Sequence, residues 1–135
     1  MASAYSSPPL AKKLSLQNGM RVWFSEMPDS VRAEIKESGL TLSEEKVPTP
    51  GIHSAHIFVT ERENMQSRLA TLRDMIDPAG QVWVSWPKKT SKIETDITED
   101  RIRDIALPMG LIDIKVCAVD TVWSGLKLVI RKELR

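Results

Sequence analysis

The chain has 135 residues, of which 41% are hydrophobic and 27% are charged, a composition typical of one globular domain with a single core. The formal net charge of +1 excludes the strong overall field of a dedicated nucleic-acid binder. One cysteine excludes an internal disulfide, and no apolar run approaches the ~18 residues of a membrane span. Because the first residues also lack a signal-peptide pattern, we expect a cytoplasmic protein that forms one domain over residues 1–135.

The first third of the chain predicts two short helices with one strand between them. Residues 1–7 are expected to form a loose tail, and Ser7 then caps a helix that has proline in its first turn. Residues 20–24 predict the first strand, and residues 28–39 predict a second helix that ends at a glycine. The polar residues and prolines of residues 40–50 predict at most a brief edge strand or an irregular loop.

The middle of the chain gives the clearest pattern, a strand followed by a helix. Residues 55–60 are almost continuously apolar or β-forming, as in a strand covered on both faces. Thr60 and Glu63 have the spacing of a capping box, which predicts a helix start. The apolar residues that recur at helical spacing and form the buried stripe are Met65, Leu69, Leu72 and Ile76.

The predicted helix stops at Pro78, and Gly80 is expected to supply a positive φ in the turn that follows. Residues 82–86 are β-branched or aromatic and predict a strand that breaks at Pro87. Strand, helix and strand with short connections form a right-handed βαβ unit in nearly all proteins. We therefore expect the strands near Val22, Ile57 and Val84 to be parallel and central.

The last third predicts one helix and then an antiparallel hairpin at the sheet edge. A helix begins at Thr98 and ends at Gly110, and its inward residues are expected to be Ile102, Ile105, Ala106 and Met109. Residues 111–119 and 126–130 both alternate in polarity, which predicts half-exposed strands. The apolar side of the first of these strands is Ile112, Ile114, Val116 and Ala118.

The loop after the first strand is the usual place for a nucleotide or adenosyl cofactor, because glycines there let backbone N–H groups approach the ligand. Residues 25–30 read Ser-Glu-Met-Pro-Asp-Ser and contain no glycine. Proline lacks an N–H, and the two acids would repel a phosphate. We therefore expect no cofactor in this place.

The candidate ligand site lies at the carboxyl end of the strand over residues 82–86, where open α/β sheets bind ligands. Three lysines there could hold an anion, although nearby acids oppose one and a solvated surface loop is the commoner role. Two tryptophans at strand ends could line a pocket for a flat ligand, although packing is commoner. The candidate residues are Ser85, Trp86, Lys88, Lys89, Lys92 and Trp123.

The histidines and the cysteine do not predict a metal site. His53 and His56 would point to opposite faces of an extended chain, so they cannot easily share an ion. Cys117 is expected to pack on a strand as a small apolar residue. Ser85 has no base beside it in the sequence, so no nucleophile is predicted.

Three phrases of the sequence carry a resemblance: Pro-Leu-Ala-Lys-Lys-Leu at 9–14, Asp-Pro-Ala-Gly-Gln-Val-Trp-Val-Ser-Trp-Pro-Lys-Lys at 77–89, and Asp-Thr-Val-Trp-Ser-Gly-Leu-Lys at 120–127. In these phrases the chain resembles a bacterial family of small domains of unknown function. That family is similar in layout to class I S-adenosylmethionine-dependent methyltransferases, and the resemblance covers most of the chain between Tyr5 and Arg131.

The resemblance implies an α/β fold, a Rossmann-like three-layer α/β/α sandwich with a mostly parallel sheet that ends in an antiparallel hairpin. It implies no activity, because the family has no established one. No methyltransferase site residue matches a position of this chain, because the glycine loop is replaced and no acid ends a clear second strand to hold a ribose.

Three functional hypotheses follow. The first is a degenerate, non-catalytic methyltransferase-like domain that binds a protein partner or a small ligand. The second is a small enzyme with an unusual site around residues 86–89 and Trp123. The third is a weak nucleic-acid or anion binder through residues 88–92, which the net charge and the aromatic content of 5% disfavour. A homodimer could form through Trp83 and an exposed edge near Leu128.

Overall fold

A computed structural model describes residues 8–135, and these form a six-stranded mixed sheet with helices on both faces. The strands are β1 Arg21–Ser25, β2 Ser43–Glu44, β3 Ile52–Phe58, β4 Ile76–Pro87, β5 Leu111–Ala118 and β6 Trp123–Ile130. The helices are α1 Leu10–Lys13, α2 Asp29–Glu37, α3 Arg62–Met75 and α4 Glu99–Ala106. The predicted loose tail lies outside the described residues. The predicted helix start at Ser7 is wrong, because the N-cap position of α1 is Pro9, which makes no side-chain capping hydrogen bond.

The strand order is β2-β1-β3-β4-β6-β5. Neighbouring strands from β2 to β4 are parallel, whereas β6 pairs antiparallel with both β4 and β5. This arrangement confirms the predicted sheet, which is mostly parallel and ends in an antiparallel hairpin. The strand predicted as brief between residues 40 and 50 is the edge strand β2, which has two residues.

Two apolar clusters fill the space between the sheet and its helices. On one face, α1 and α2 bury residues such as Leu14, Val31 and Ile35. On the other face, α3 and α4 bury residues such as Leu69 and Ile102. The helical spacing in the sequence predicted the inward positions of Leu69 and Ile102 correctly. With one cluster on each face, the sheet and its helices form the three layers of the expected sandwich.

The connection from α3 to β4 differs from the prediction. The helix ends at Met75, and β4 begins at the next residue, Ile76, without a separate turn. Residues 77–80 instead leave the register with β3, because Ile52 pairs with Ile76 and Ser54 already pairs with Gln81. Pro78 therefore lies in a bulged segment of a long strand, where its missing N–H breaks no ladder hydrogen bond.

Gly80 does not have the predicted positive φ, since it is absent from the left-handed residues among those described. Glycine is needed at this position because two backbone segments approach each other closely there. A Cβ at this position would lie 2.9 Å from the carbonyl oxygens of both Asp77 and His53. The bulge brings two backbone segments too near for any side chain, which the local sequence could not indicate.

The predicted capping box at the start of α3 does not form. The residue at the N-cap position is Glu61, and its side chain makes no capping hydrogen bond. The carboxylate of Asp96 instead accepts from the backbone N–H of Arg62 at 2.7 Å. The acceptor therefore comes from a loop 34 residues away, which sequence spacing near Thr60 cannot show.

The apolar side predicted for β5 is also wrong. Its pairing with β6 shifts register between Asp113 and Lys115, so Ile114 is an extra, bulged residue. A bulge moves the residues after it to the other face, so Ile112 and Val116 no longer share a side. The large apolar side chains of β5 that remain exposed are Ile112, Ile114 and Val116.

The homodimer surface suggested by the sequence is contradicted. Trp83 is completely buried, because α1 lies over it. Leu128 is also completely buried, and its strand β6 lies between β4 and β5 rather than at the edge. The outermost strand at this end is β5, so a partner cannot reach either residue.

The end of α1 is attached to the centre of the sheet by hydrogen bonds. The carbonyl oxygen of Leu14 accepts from Nε2 of Gln81 at 2.8 Å and from Nε1 of Trp83 at 3.0 Å. The same Gln81 nitrogen also donates to Oγ of Ser54 at 3.0 Å. Buried polar groups need such partners, so these bonds determine where α1 lies on β4.

We expect Trp83→Phe to lower the free energy of unfolding by about 1–3 kcal/mol, because a buried donor and part of the packed volume are both lost. Urea denaturation measures the change. The control is Trp23→Phe, which alters a nearly buried ring on the other face that donates no indole hydrogen bond among the described residues. Equal losses in the two variants would show that the bond to Leu14 adds nothing.

A histidine and a serine form a buried pair beneath α1. Nε2 of His56 lies 2.7 Å from Oγ of Ser85, and the imidazole stacks on Phe58 with ring centroids 4.4 Å apart. Neither side chain is more than 1% exposed. Burial lowers the pKa of His56 to about 3, so the folded protein holds this ring neutral.

This pair predicts a loss of stability in acid. The pKa of His56 is lower in the folded chain than the ordinary value of about 6.5, so the unfolded chain binds the additional proton. Stability is therefore complete above about pH 6.5 and falls as the pH decreases toward 3, by about 2 kcal/mol at pH 5. Unfolding by urea at pH 7 and pH 5 tests this, and His56→Gln should remove the difference while His53→Gln retains it.

Candidate functional site

An open groove with a volume of about 920 Å³ lies beyond the carboxyl end of β4. One wall is the end of β4 and the turn after it, and the other is the segment that leads into α4. The side chains that matter for its chemistry are Trp86, Lys88, Lys89, Glu94, Thr98, Asp100 and Ser124. The volume is in the range of small-molecule sites.

Local hydrogen bonds hold the lysine wall of the groove. The backbone N–H of Lys88 donates to the carbonyl of Val122 at 2.8 Å, which joins this turn to the β5–β6 connection. Oγ of Ser91 donates to the carbonyl of Lys88 at 2.6 Å. Lys92 then takes a left-handed φ of 62° and ends the turn. The hydrogen bonds on either side therefore fix the backbone that carries Lys88 and Lys89.

The opposite wall is held by the start of α4 and the segment before it. Oγ1 of Thr98 accepts from the backbone N–H of Arg101 at 3.2 Å, which confirms the predicted helix start. Oγ1 of Thr95 donates to the carbonyl of Thr60 at 2.6 Å, which ties the segment to the end of β3. The two walls thus rest on neighbouring strands of the sheet.

The charges in the groove are mixed. Lys88 and Lys89 line one wall, while Glu94, Glu99 and Asp100 line the other. Arg103 forms ion pairs with Glu99 and with Asp100 and also binds Asp113 at 2.8 Å. The contacts with Asp113, first, and with Glu99 raise the pKa of the guanidinium. A ligand with both a positive and a negative group suits this groove better than a phosphate does.

The structure brings only some of the six site residues predicted from the sequence into the groove. Trp86, Lys88 and Lys89 line the groove, so these three meet in one site. Lys92 is not part of its lining, and Ser85 is fully buried against His56. Trp123 packs edge-on against Phe58 with centroids 5.2 Å apart, so its ring serves packing.

Glu94 and Ser124 are among the residues that line the groove and were not predicted as site residues. Glu94 lies in the polar loop before α4, and Ser124 follows Trp123 at the start of β6. Glu94 belongs to no motif, whereas Ser124 lies in the phrase at 120–127. Each reaches the groove only because β6 pairs beside β4 and the loop folds back. The neighbouring Trp123, itself a candidate, was the one local signal for Ser124, and the sequence offered none for Glu94.

The loop after β1 has one residue with a left-handed backbone and few polar groups that could bind a ligand. Glu26 follows the strand directly with a φ of 57°, a left-handed conformation that favours glycine. Met27 points into the core with 7% exposure. Pro28 precedes α2 without a side-chain capping hydrogen bond, and Asp29 lies in the first turn.

A second strand does end in an acid, contrary to the sequence interpretation. Glu44 is the last residue of β2, and its two oxygens accept from the guanidinium of Arg32 at 2.7 and 2.8 Å. The next residue, Glu45, pairs with Arg21 at 3.6 Å. Both carboxylates are therefore engaged with arginines of the chain itself.

Residues 8–135 contain no group of three or more histidine, cysteine or acidic side chains that could hold a metal ion. His53 instead accepts at Nδ1 from the backbone N–H of Arg21 at 2.8 Å, and His56 is buried against Ser85. In the same residues, no helix has the length and apolar character needed to cross a membrane.

The chain resembles known proteins in its fold and not in its sequence. No protein-family model matches the chain, and no curated protein matches its sequence. It is similar to a SAM dependent methyltransferase from Aquifex aeolicus, with a TM-score of 0.59, 15% identity, and coverage of 95% of this chain and 96% of that one.

Two further solved structures agree. One is the ribosomal protein L11 methylase from Lactobacillus delbrueckii subsp. bulgaricus, with a TM-score of 0.55 and 10% identity. The other is the magnesium protoporphyrin IX methyltransferase from Synechocystis PCC 6803 with bound SAM, with a TM-score of 0.56 and 11% identity. Each match covers 90% of this chain and 74% of the other. The chain therefore has the Rossmann-like α/β fold of the class I methyltransferases.

Proposed function

We propose that this chain is a degenerate methyltransferase-like domain, which does not bind S-adenosylmethionine in the usual place and binds a small ligand in the groove at the end of β4. The observation that supports this most directly is the loop after β1. Its positive-φ position carries Glu26 rather than glycine, so the backbone there bears a Cβ and a negatively charged side chain, whereas a glycine would let a cofactor approach closely.

The residues around this loop do not fit the cofactor. Pro28 removes one of the N–H groups that the start of α2 could otherwise offer a ligand, and Asp29 adds a negative charge there. Glu44, which lies at the end of the second strand, already binds Arg32 through both of its oxygens. A ribose hydroxyl would have to compete with a bidentate, charge-assisted pair.

We expect Glu26→Gly to raise the free energy of unfolding by about 0.5–1 kcal/mol, because glycine adopts a positive φ without the steric cost of a Cβ. Urea denaturation measures the change. The matched control is Glu34→Gly, an exposed helical position in α2, where glycine should lower stability by about 1 kcal/mol. A loss of stability in Glu26→Gly would show that the glutamate side chain makes a needed contact.

S-adenosylmethionine itself provides the direct test. We expect isothermal titration to detect no micromolar binding and millimolar S-adenosylmethionine to leave the melting temperature unchanged. A ligand present at a hundred times its dissociation constant would add about 2.7 kcal/mol to stability, so binding of that strength could not be missed. Micromolar binding with a rise in melting temperature would contradict the proposal.

The groove can be tested separately with small molecules. We expect a ligand-observed NMR screen of amphoteric, anionic and neutral compounds to find amphoteric ones that bind wild type and not Lys88→Ala/Lys89→Ala. Lys92→Ala is the control, since it removes a lysine of the same turn that does not line the groove. Binding that is the same in all three proteins would place the site elsewhere.

A small enzyme using the same groove is the second candidate. Ammonium and carboxylate groups on facing walls, at Lys88 and Glu94, could take part in proton transfer to a bound substrate. Chemical conversion of a compound that binds the groove, lost in Lys88→Ala and in Glu94→Gln, would favour the enzyme. Binding without conversion would favour the degenerate domain.

A further inference from the structure

The β5–β6 end of the sheet is covered by a helix on one face and only in part on the other, where Cys117 and Trp123 pack against the apolar cluster of α1 and α2. On the first face, α4 contacts β5, and Leu126, Leu128 and Ile130 of β6 are buried there. The alternate residues of β6 point to the second face, and Lys127 and Val129 remain partly exposed. In a three-layer α/β fold both faces are normally covered, so the part of this face around Lys115, Lys127 and Val129 lacks its third layer.

Two lysines lie directly opposite each other on the uncovered part of this face. Lys115 of β5 pairs in register with Lys127 of β6, and like charges in that position are destabilising. Neither forms an ion pair with any residue of the described chain, 8–135. Partial burial and the charge of Lys115 lower the pKa of Lys127. The sequence thus keeps an unfavourable pair that its own acids do not neutralise.

The surroundings of the pair are partly apolar. Ile112 is 38% exposed and pairs in register with Val129 on the same face. Nζ of Lys127 donates to Oγ of Ser15 at 3.1 Å, and Nζ of Lys13 donates to the carbonyl of Ala118 at 2.7 Å. Positive groups therefore border an apolar strip on an open sheet face.

We propose that this face binds an acidic amphipathic helix of a partner protein, with apolar side chains on Ile112 and Val129 and carboxylates on Lys115 and Lys127. Such a helix would complete the third layer and neutralise the lysine pair. The eight residues of β5 span about 26 Å, which a helix of about 17 residues matches.

Charge and shape favour this partner over other classes. Lys115 and Lys127 do not line the groove at the end of β4, so this surface is separate from that site. An open sheet face suits a macromolecule better than a small anion, because a small anion needs a concave site. Nucleic acid is disfavoured because the net charge is only +1 and the aromatic ring beneath Lys115, Trp83, is fully buried and cannot stack on a base.

The test uses a synthetic helical peptide of about 18 residues, composed of leucine, alanine and glutamate with the glutamates along one side. We expect it to bind wild type in fluorescence anisotropy and to weaken about tenfold from low to high salt. A scrambled peptide of the same composition should bind at least about tenfold more weakly. Equal binding of the two peptides would overturn the proposal.

Cys117 provides a second measurement. It is the one cysteine of the chain and pairs in register with Gly125 on the same face. We expect the amphipathic peptide, and not the scrambled one, to slow the reaction of this thiol with Ellman's reagent. An unchanged rate at saturating peptide would show that the peptide binds another surface.

Variants locate the binding surface. Lys115→Glu/Lys127→Glu should abolish peptide binding, whereas Lys46→Glu/Lys132→Glu, which makes the same charge change at exposed lysines elsewhere, should retain it. Lys127→Met should lose affinity without lowering the melting temperature, because it relieves the repulsion. A lower melting temperature would assign the lysine a structural role instead. A wild-type dimer that Lys115→Glu/Lys127→Glu dissociates, or tighter binding to an oligonucleotide than to the peptide, would also overturn the proposal.

Discussion

The structure depends on the burial of β4 on both faces and along both of its edges. Residues 81–87 are all buried, with β3 parallel on one side and β6 antiparallel on the other. Each large apolar side chain in such a strand contributes about 1.5–3 kcal/mol when it leaves water. The strand also carries the donors that attach α1, the serine that binds His56, and at its end the tryptophan of the groove. Core and candidate site therefore share one element.

The charged side chains of the surface are of two kinds: those that form ion pairs within the described chain and those that do not. Glu44 and Asp113 have their arginines, Arg32 and Arg103, within hydrogen-bond distance. The lysines of the groove and of the β5–β6 face have no such acids among the described ion pairs. Arginine suits fixed bidentate pairs, whereas lysine is a mobile point charge. For this reason, lysines line both proposed binding surfaces, the groove and the β5–β6 face.

Much of the architecture follows from local pattern. The stripe of α3 predicted Met65, Leu69 and Leu72 as buried, and all three are fully buried, because helical periodicity depends on neighbours in sequence. The same reasoning failed for β5, where the bulge at Ile114 moves later residues to the other face. It also failed at Thr60, where the acceptor for α3 comes from Asp96. Bulges and distant caps depend on contacts between separate segments.

The amino-acid sequence by itself determined the order of strands and helices, the inward faces of the helices and the missing glycine after β1, since each of these depends on residues close together in the chain. Only the tertiary structure decided which of the six predicted site residues meet in the groove and that Ser85 lies buried against His56. It also decided that Lys115 lies opposite Lys127, on a face that the apolar cluster of α1 and α2 covers only in part. The physical reason is that strand pairing and register place residues far apart in sequence side by side, and a shift of one residue reverses the face on which each side chain lies.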